Sequence, residues 1–527
     1  MTSHKLRAAD LVARRLYEAG CRTAFGMPGG EVLTLVDALE AAGIRFVLAK
    51  HENAAGFMAE GVWQRTGAPG ILVATLGPGA LNGVNVIANA GQDRVPLIVL
   101  TGCLDETEAL TYTHQILDHQ QVMRPITKAS FRLTAEGADV IADKAVVIAT
   151  EGRAGPVHID VPMSVADAVV VPHILRRRPP ASPVVPAPGP DLARARLWLE
   201  EARRPLMIVG LDALADEAGE AILSFCETFS VPFVTTYKAK GIVSEEHPLC
   251  LGGAGLSPKA DALLLPFVRQ ADLILCLGYD PIEMRTGWRE VWDPQATHVI
   301  DIAAAPNHHY MHQAGLNFIA HTAKALEMLG EGVAAQATWI GNEVDKLQAG
   351  LAAAFPTDEA WGPAAVIDVC RKALPPETVA TVDAGAHRIL LSQMWRTYEP
   401  RSLLQSTAFC TMGGALPLAL GAQLAEPERP VVAFTGDAGL LMVAGELSTA
   451  AELGSRVIVV VFVDASLALI ELKQRQRQMR NAGVDFAAHD FAAIGRAFGG
   501  LGHTVTSRAE LQAALDDALT AESFTVI

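Results

Sequence analysis

The sequence predicts an α/β protein built from three doubly wound domains whose sheets are mostly parallel. Short apolar strands alternate with helical periods along most of the 527 residues, which is the pattern of repeated strand–helix–strand units. Half of the residues are hydrophobic, only 6% are aromatic and 45 are Gly, a composition typical of layered α/β proteins with buried parallel strands. A chain of this length favours about three or four domains over a single core.

Two breaks in the pattern divide the chain into segments 1–170, 190–335 and 360–527. The Pro- and Arg-rich stretch 171–192 cannot bury a core and is predicted to be a linker. A softer boundary lies at 331–362, an Ala-rich stretch that is predicted to be helical before it ends in a turn. Apolar strands are predicted in every segment, at 45–49, 70–75, 96–102, 205–210, 232–236, 273–278, 298–302, 377–385, 430–436 and 457–464.

The charge and the cysteines restrict the class of protein. A formal net charge of −16 argues against a nucleic-acid partner and against an anionic membrane surface. The seven Cys lack CxxC spacing and mostly lie in apolar runs, which predicts reduced core thiols. Residues 1–20 predict an amphipathic helix rather than a signal peptide, and no run of about 18 apolar residues occurs. We therefore expect a soluble cytoplasmic protein.

A Gly-rich turn in the third segment predicts a site for a metal and a diphosphate. The strand at 430–436 leads through Gly436–Gly439 into a helix, and free backbone N–H groups at such a helix start can bind phosphate. Asp437 lies at the end of this strand, and Asp464 lies at the end of the next one, 27 residues later. Two adjacent parallel strands would bring these carboxylates together, and Mg²⁺ prefers such hard oxygen ligands.

These motifs resemble the thiamine-diphosphate signature of the acetolactate synthase and pyruvate decarboxylase superfamily. The resemblance rests on Gly-Asp-Ala-Gly at 436–439 followed by Val-Asp-Ala-Ser at 463–466, and it extends over essentially the whole chain. The sequence is similar in particular to the catabolic, flavin-independent acetolactate synthases, through the runs at 113–115, 124–128 and 278–283. The resemblance implies thiamine diphosphate and Mg²⁺ as cofactors.

The resemblance also implies a role for individual residues of the third segment. Magnesium would be held by Asp437, Asp464 and the backbone carbonyl of Ser466. Met412 would wedge beneath the cofactor and force its bent conformation. The remaining cofactor contacts implied in this segment are Ala386, His387, Cys410, Ala438, Gly439 and Leu469. Ala438 stands where the family usually has Gly, and Asp464 stands where many members have Asn.

Glu52 is the candidate catalytic carboxylate. It follows a predicted strand and precedes a helix rich in small residues, where a second chain can pack closely. It resembles the superfamily's activating glutamate, which hydrogen-bonds to the N1′ atom of the cofactor's pyrimidine ring. In this family the first segment of one subunit faces the third segment of another. The resemblance therefore implies a homodimer or homotetramer with active sites at the subunit interface.

The reaction is predicted from the residues expected near the cofactor. The loop at 76–79 contains no His, unlike that of the decarboxylases, and Gln115 matches a glutamine of acetolactate synthases. His114 is either a residue of the site or an ordinary surface residue. Leu469, with Ile470 and Gln474 after it, either covers the substrate pocket or is ordinary helix core. These features favour acetolactate synthesis from two molecules of pyruvate, a small 2-oxo acid.

Some observations leave other functions open. Glu31 stands where the catabolic enzymes have a Lys near the substrate, and a carboxylate there would repel a 2-oxo acid unless it is turned away. The alternatives are a simple 2-oxo acid decarboxylase of the same fold and a non-catalytic member of the family. The middle segment lacks the G-x-G-x-x-G fingerprint, so an oxidoreductase is disfavoured and FAD binding is possible but unsupported.

Overall fold

The chain forms three parallel sheets of six strands, each flanked by helices, which confirms the predicted fold class. This computed structural model describes residues 6–171, 177 and 179–527. Part of the predicted linker, at 172–176 and at 178, lies outside the described residues. No helix in the described ranges is long and apolar enough to span a bilayer.

The first sheet has the strand order β2-β1-β3-β4-β6-β5. Its strands are β1 (Thr23–Met27), β2 (Arg45–Leu48), β3 (Gly70–Ala74), β4 (Leu97–Cys103), β5 (Ala129–Arg132) and β6 (Val157–Pro162). The helices of this domain are α1 (Ala8–Glu18), α2 (Leu33–Ala41), α3 (Glu52–Thr66), α4 (Pro78–Asn82), α5 (Val84–Gln92), α6 (Glu106–Ala109), α7 (His119–Met123), α8 (Ala138–Thr150) and α9 (Met163–Asp167). The strand order reverses between β1 and β3, which opens a crevice at their carboxyl ends.

The second sheet has the strand order β12-β11-β10-β7-β8-β9. Its strands are β7 (Pro205–Val209), β8 (Phe233–Thr236), β9 (Cys250–Ala254), β10 (Leu273–Leu277), β11 (His298–Ala303) and β12 (Leu316–Ile319). The helices here are α10 (Pro190–Glu201), α11 (Leu211–Ala215), α12 (Gly219–Phe229), α13 (Pro258–Val268), α14 (Thr322–Gly330) and α15 (Glu343–Ala354). The order reverses between β7 and β10.

The third sheet has the strand order β14-β13-β15-β16-β18-β17. Its strands are β13 (Val379–Val382), β14 (Leu403–Gln405), β15 (Val431–Gly436), β16 (Ile458–Phe462), β17 (Leu501–Gly502) and β18 (Thr525–Val526). The helices here are α16 (Pro363–Ala373), α17 (Ala386–Met394), α18 (Ala415–Ala425), α19 (Asp437–Val443), α20 (Glu446–Leu453), α21 (Ala468–Gln476), α22 (Phe491–Ala497) and α23 (Arg508–Thr520). The order reverses between β13 and β15.

The first and third domains share one hydrophobic core. Helix α3 packs against α18, and the two helices belong to a single cluster of buried residues that also includes strands of both sheets. The middle domain has its own clusters on the two faces of its sheet. The first and third domains are therefore held in a fixed relation within one chain.

The predicted strands all coincide with observed strands, but eight observed strands were not predicted. Most of these are short or lie toward the edges of their sheets: β1, β5, β6, β9, β12, β14, β17 and β18. The predicted N-terminal helix is α1, which buries one face from Ala8 to Leu16. Six of the seven Cys are buried, whereas Cys410 is exposed.

Candidate active site

Asp437 lies where β15 ends, beside the point at which the third sheet reverses. Gly436 closes the strand, and Asp437 is the first residue of α19. Its carboxylate is only 3% exposed. Oδ1 accepts a hydrogen bond from the N–H of Ala438 at 2.8 Å, and Oδ2 accepts from the N–H groups of Asp464 at 3.1 Å and Ala465 at 2.7 Å. The two strand ends thus bring Asp437 and Asp464 together.

The carboxylates of Asp437 and Asp464 are suited to bind a cation. Asp464 follows β16, the neighbour of β15, and is more exposed than Asp437. Burial and, to a smaller extent, the charge of Asp437 raise the pKa of the Asp464 carboxyl above its usual value. Backbone N–H groups, rather than Lys or Arg side chains, surround Asp437. A divalent cation would neutralise the repulsion between the two carboxylates.

Ser466 continues the turn that carries Asp464. Its N–H donates to Asp464 Oδ1 at 3.2 Å, and its hydroxyl donates to Asp485 Oδ1 at 2.9 Å. Within the described residues no group of three or more His, Cys, Asp or Glu has a metal-binding arrangement. A cation at Asp437 and Asp464 would therefore need further oxygen ligands from the backbone or from a bound ligand, as Mg²⁺ usually takes.

Asp383, which the sequence reasoning did not select, organises the loops of this site. It follows β13 and is 1% exposed. Its Oδ1 accepts from the N–H groups of Gly413 at 2.9 Å and Gly414 at 3.3 Å, and Thr435 Oγ1 donates to its Oδ2 at 3.1 Å. A Cβ at Gly439 would lie 2.1 Å from Asp383 Oδ2. Asp383 lies within the predicted strand at 377–385, beside the end of β15, and this position is the signal that could have identified it as a site residue.

Ala386 and His387 form the start of α17, on the other side of the same crevice. The His387 ring stacks on Phe462 with centroids 5.2 Å apart, and its Nε2 is buried without a hydrogen-bond partner. A Cβ at Gly436 would lie 3.6 Å from His387 Cε1. Burial, assisted by the charge of Arg388, lowers the pKa of His387 to about 4, so the ring is neutral near pH 7. The unpartnered nitrogen fits a polar ligand in the crevice.

The other predicted cofactor contacts lie around the crevice. Met412 is half-buried and precedes Gly413, whose N–H is fixed by Asp383. Cys410 is exposed with a φ of 57°, and Arg388 donates to its Sγ at 3.3 Å. Leu469 lies on α21, a helix without a buried residue. Leu469 itself is half-buried.

Glu52 is buried in the first domain, at the start of α3. It is 4% exposed, and its Oε2 accepts a hydrogen bond from Asn82 Nδ2 at 2.9 Å. A Cβ at Gly79 would lie 3.2 Å from Glu52 Oε1, so the turn after β3 leaves room for the carboxylate only because it has Gly there. The carboxylate thus has an amide partner rather than a cationic one, and one of its oxygens adjoins a Gly-lined opening.

A cavity of about 370 Å³ lies at the point where the first sheet reverses. We call it the first-domain cavity. Gln115 has a φ of 57° and is packed against Gly77, whose Cβ would lie 3.1 Å from the Gln115 carbonyl oxygen. His114 is exposed at the rim, with its ring 6.1 Å from that of Tyr112. The residues that define the cavity here are Glu31, Leu76, Glu108, Tyr112, His114 and Gln115.

Comparison with known protein families assigns all three domains. Residues 6–122 match the N-terminal TPP binding domain of thiamine pyrophosphate enzymes, residues 192–329 match their central domain, and residues 383–527 match their C-terminal TPP binding domain. The chain belongs to the thiamine pyrophosphate enzyme family. It is therefore a thiamine-diphosphate-dependent enzyme, as the resemblance of its motifs predicted.

Relatives within the thiamine pyrophosphate enzymes cover nearly the whole chain. An acetolactate synthase of Bacillus subtilis is 31% identical over 99% of this chain and 93% of its own. A catabolic acetolactate synthase of Raoultella terrigena is 27% identical over 98% of this chain and 94% of its own. A probable 2-ketoarginine decarboxylase of Pseudomonas aeruginosa is 32% identical over 94% of this chain and 88% of its own. The chain is thus close to the acetolactate synthases within the family.

In this thiamine pyrophosphate enzyme, arginines of the first domain form ion pairs at the crevice of the middle sheet. Asp212 follows β7 and Asp280 follows β10, the two strands between which the sheet reverses. Arg94 pairs with both carboxylates, and Arg153 donates to Asp212 at 3.3 Å. A nucleotide at this crevice, the usual place for one in such a sheet, would have to displace these ion pairs. FAD binding remains without support.

Proposed function

We propose that the chain decarboxylates a 2-oxo acid and joins the remaining fragment to a second 2-oxo acid, as an acetolactate synthase does. The resemblance of the motifs implies pyruvate as the first substrate. The observation that carries this proposal is the pairing of Asp437 with Asp464 at neighbouring strand ends, opposite the buried His387. That arrangement fits a magnesium diphosphate, and the relatives of this chain include acetolactate synthases.

Each side chain of the candidate site has a proposed role. Thiamine diphosphate, when bound, supplies a carbon nucleophile and accepts the electron pair that decarboxylation releases. Glu52 would hold the proton at the pyrimidine nitrogen N1′. Asp437, Asp464 and the carbonyl of Ser466 would bind Mg²⁺. The groups proposed to contact the rest of the cofactor are Ala386, His387, Cys410, Met412, Ala438, Gly439 and Leu469.

The proposed reaction of the 2-oxo acid requires no external oxidant. The bond between the carboxylate carbon and the carbonyl carbon breaks, and CO₂ leaves. The electron pair that stays behind then forms a bond to the carbonyl carbon of a second 2-oxo acid, which gives an acyloin, or to a proton, which gives an aldehyde. Gln115 and His114 line the first-domain cavity, which supports a role for both in contacting the substrate.

Release of an aldehyde is the second candidate outcome. Glu31 faces the first-domain cavity and its carboxylate would repel a second 2-oxo acid. A relative named as a probable 2-ketoarginine decarboxylase is 32% identical to this chain. A panel of 2-oxo acids, scored for CO₂, aldehyde and acyloin, separates the two outcomes. Acyloin formation supports the first candidate, and aldehyde without acyloin supports the second.

Replacing the catalytic carboxylate tests the proposed reaction. We expect Glu52→Gln to reduce turnover of the preferred 2-oxo acid by at least about 100-fold, because proton transfer by a positioned group contributes about 10²–10⁴-fold. Affinity for thiamine diphosphate should change little, since Gln keeps the size of the side chain. Steady-state CO₂ release and calorimetric titration measure the two effects. Glu18→Gln, on the exposed side of α1, is the matched control; equal activity of Glu52→Gln and this control would contradict the role of Glu52.

Removing a metal ligand tests the cation site. Asp437→Ala should weaken the binding of thiamine diphosphate by at least about 10–100-fold at a fixed Mg²⁺ concentration, the size of effect known for changes at metal sites. Titration calorimetry at several Mg²⁺ concentrations gives the affinity and its metal dependence. The control is Asp516→Ala, which removes an exposed carboxylate of α23. An unchanged affinity in Asp437→Ala would refute the site.

The proposed active site includes two subunits. The contacts of Glu52 described above lie within its own domain. Helix α21, beside the cation site, has no buried residue and exposes Ile470 at 44%. Exposed apolar side chains beside a site usually mark a surface that another chain covers. These observations favour the homodimer or homotetramer that the family resemblance implies.

A further inference from the structure

The first-domain cavity adjoins the proposed catalytic carboxylate. Thr75, in the turn after β3, donates a hydrogen bond from its hydroxyl to Glu31 Oε2 at 2.6 Å. At the start of α4, a Cβ at Gly79 would lie 2.8 Å from Thr75 Cγ2 and 3.2 Å from Glu52 Oε1. The segment from Thr75 to Gly79, in which Leu76 lines the cavity, therefore lies between Glu31 and Glu52.

The cavity occupies the place where a sheet of this type binds ligands. Glu31 follows β1 and Thr75 follows β3, the two strands between which the first sheet reverses its order. In open α/β sheets, ligands bind in the crevice at the carboxyl ends of these strands. The corresponding crevice of the third sheet contains Asp383 and Asp437, and in that of the middle sheet Arg94 pairs with Asp212. The first-domain crevice is thus open in this chain.

The charge of the cavity is negative. Its lining includes the carboxylates of Glu31 and Glu108 and contains no Lys or Arg among the residues that the structure describes. Arg132, a cation nearby, donates instead to the backbone carbonyl of Leu104 at 2.7 Å. Glu31 lines the cavity, and the hydrogen bond from Thr75 holds one of its carboxylate oxygens. A site of this charge attracts a cation and repels a second carboxylate.

The remaining lining suits an alkyl chain. Leu76, Tyr112 and Met163 supply apolar surface between the two carboxylates. Pyruvate has only a methyl group to place in a cavity of about 370 Å³. A longer side chain with a cationic end would cover the apolar surface and place its charge beside Glu31, where a charge-assisted hydrogen bond can form.

We propose that this cavity selects a 2-oxo acid whose side chain ends in a guanidinium or ammonium group, and that Glu31 is the residue that determines this specificity. The inference rests on the proposed decarboxylation and replaces pyruvate as the acid that is decarboxylated. Glu108 adds to the negative field from the rim of the cavity.

The preference is measured with two acids of similar length. The enzyme, supplied with thiamine diphosphate and Mg²⁺, is assayed for CO₂ release from 5-guanidino-2-oxopentanoate and from the uncharged 2-oxoheptanoate. We expect kcat/KM for the guanidino acid to be at least about tenfold higher. Glu31→Gln should reduce this ratio to near one and Glu108→Gln should reduce it less. Glu106→Gln, on the same short helix but outside the cavity lining, should leave the ratio unchanged.

A binding measurement gives a readout that does not depend on turnover. Calorimetry with 5-guanidinopentanoate and with heptanoate, neither of which has a 2-oxo group, should show tighter binding of the guanidino compound, and Glu31→Gln should abolish the difference. Turnover of both 2-oxo acids with a ratio near one in the unaltered enzyme would overturn the inference and leave the proposed function standing. An unchanged ratio in Glu31→Gln would also overturn it. Failure to release CO₂ from any 2-oxo acid would contradict the proposed function itself.

Discussion

Single residues of the candidate site are held by close packing as well as by hydrogen bonds. Asp383 joins the loop at Gly413 and Gly414 to the end of β15, because it accepts hydrogen bonds from the N–H groups of these two glycines and from the hydroxyl of Thr435. Burial raises the pKa of the Asp383 carboxyl, while these donors favour its ionised form. Gly439 lies directly against this carboxylate. The second Gly of the Gly-Asp-Ala-Gly turn is thus needed for space.

Adding one methyl group at this turn should disturb the cofactor site. In Gly439→Ala the new Cβ would lie 2.1 Å from Asp383 Oδ2 and 2.8 Å from Thr435 Oγ1, so the carboxylate must move and release the loop at Gly413. We expect the affinity for thiamine diphosphate to fall by at least about tenfold, since overpacking costs about 1–3 kcal/mol. Calorimetric titration measures the effect. Gly189→Ala, where a Cβ has nothing within 4 Å, should bind like the unaltered enzyme. Equal affinities of the two variants would show that the turn tolerates a side chain.

At the scale of elements, helices α3 and α18 approach each other unusually closely. A Cβ at Gly61 would lie 2.3 Å from the carbonyl oxygen of Leu418, and a Cβ at Gly421 would lie 2.0 Å from that of Met58. Beyond this contact, Arg65 at the end of α3 pairs with Glu426 at 2.6 Å. Because Glu52 begins α3 and α18 follows the loop of Met412, this packing fixes where Glu52 lies relative to the Met412 loop of the same chain.

The close approach predicts opposite effects for the same substitution in two helices. Gly421→Ala should destabilise the protein by about 1–3 kcal/mol, because α18 must move away from Met58. Gly350→Ala, in the interior of α15, meets its nearest side-chain atoms at 3.7 Å and should stabilise by about 0.5–1 kcal/mol through its helix propensity. Thermal unfolding of both variants should therefore shift the midpoint in opposite directions. A midpoint for Gly421→Ala at or above that of the unaltered protein would contradict the packing.

At the scale of the whole molecule, three sheets of the same type have three different crevices. The third contains acidic residues suited to a metal and a diphosphate, the middle one contains ion pairs of Arg94 and Arg153 with Asp212, and the first is open and acidic. Lys238 of the middle domain is buried against Asp93 of the first, with Nζ 3.1 Å from Oδ2. Buried ion pairs of this kind join the middle domain to the first.

A shared active site predicts complementation between two inactive variants. If Glu52 of one chain and Asp437 of another form each site, a dimer of one Glu52→Gln chain and one Asp437→Ala chain keeps one intact site of two. Equal co-expression should then restore about a quarter of the unaltered activity, since about half of the dimers are mixed. CO₂ release by the co-purified protein measures this, and each variant expressed alone is the control. No recovery in mixed dimers, verified by differently tagged chains, would place the whole site within one chain.

The central strands and the motif residues could be predicted from the sequence because each has a local sequence pattern. Strands buried on both faces, such as β10 and β16, are continuous apolar runs. β17 and β18 have two residues each, and no local pattern distinguishes so short a strand from a loop. Asp437 and Asp464 were paired correctly because neighbouring parallel strands end at the same edge of a sheet.

The fold class, the family and thiamine diphosphate were predictable from the amino-acid sequence, because the Gly-Asp-Ala-Gly turn and the strand ends around it are local features. The tertiary structure decided what depends on contacts between distant residues. Asp383 is assigned by its contacts with Gly413 and with Thr435 of β15, 30 and 52 residues away. One carboxylate oxygen of Glu31 is held by a hydrogen bond from Thr75, 44 residues away. No local sequence pattern predicts which carboxylate will line a cavity, because the orientation of a side chain depends on packing across the sheet.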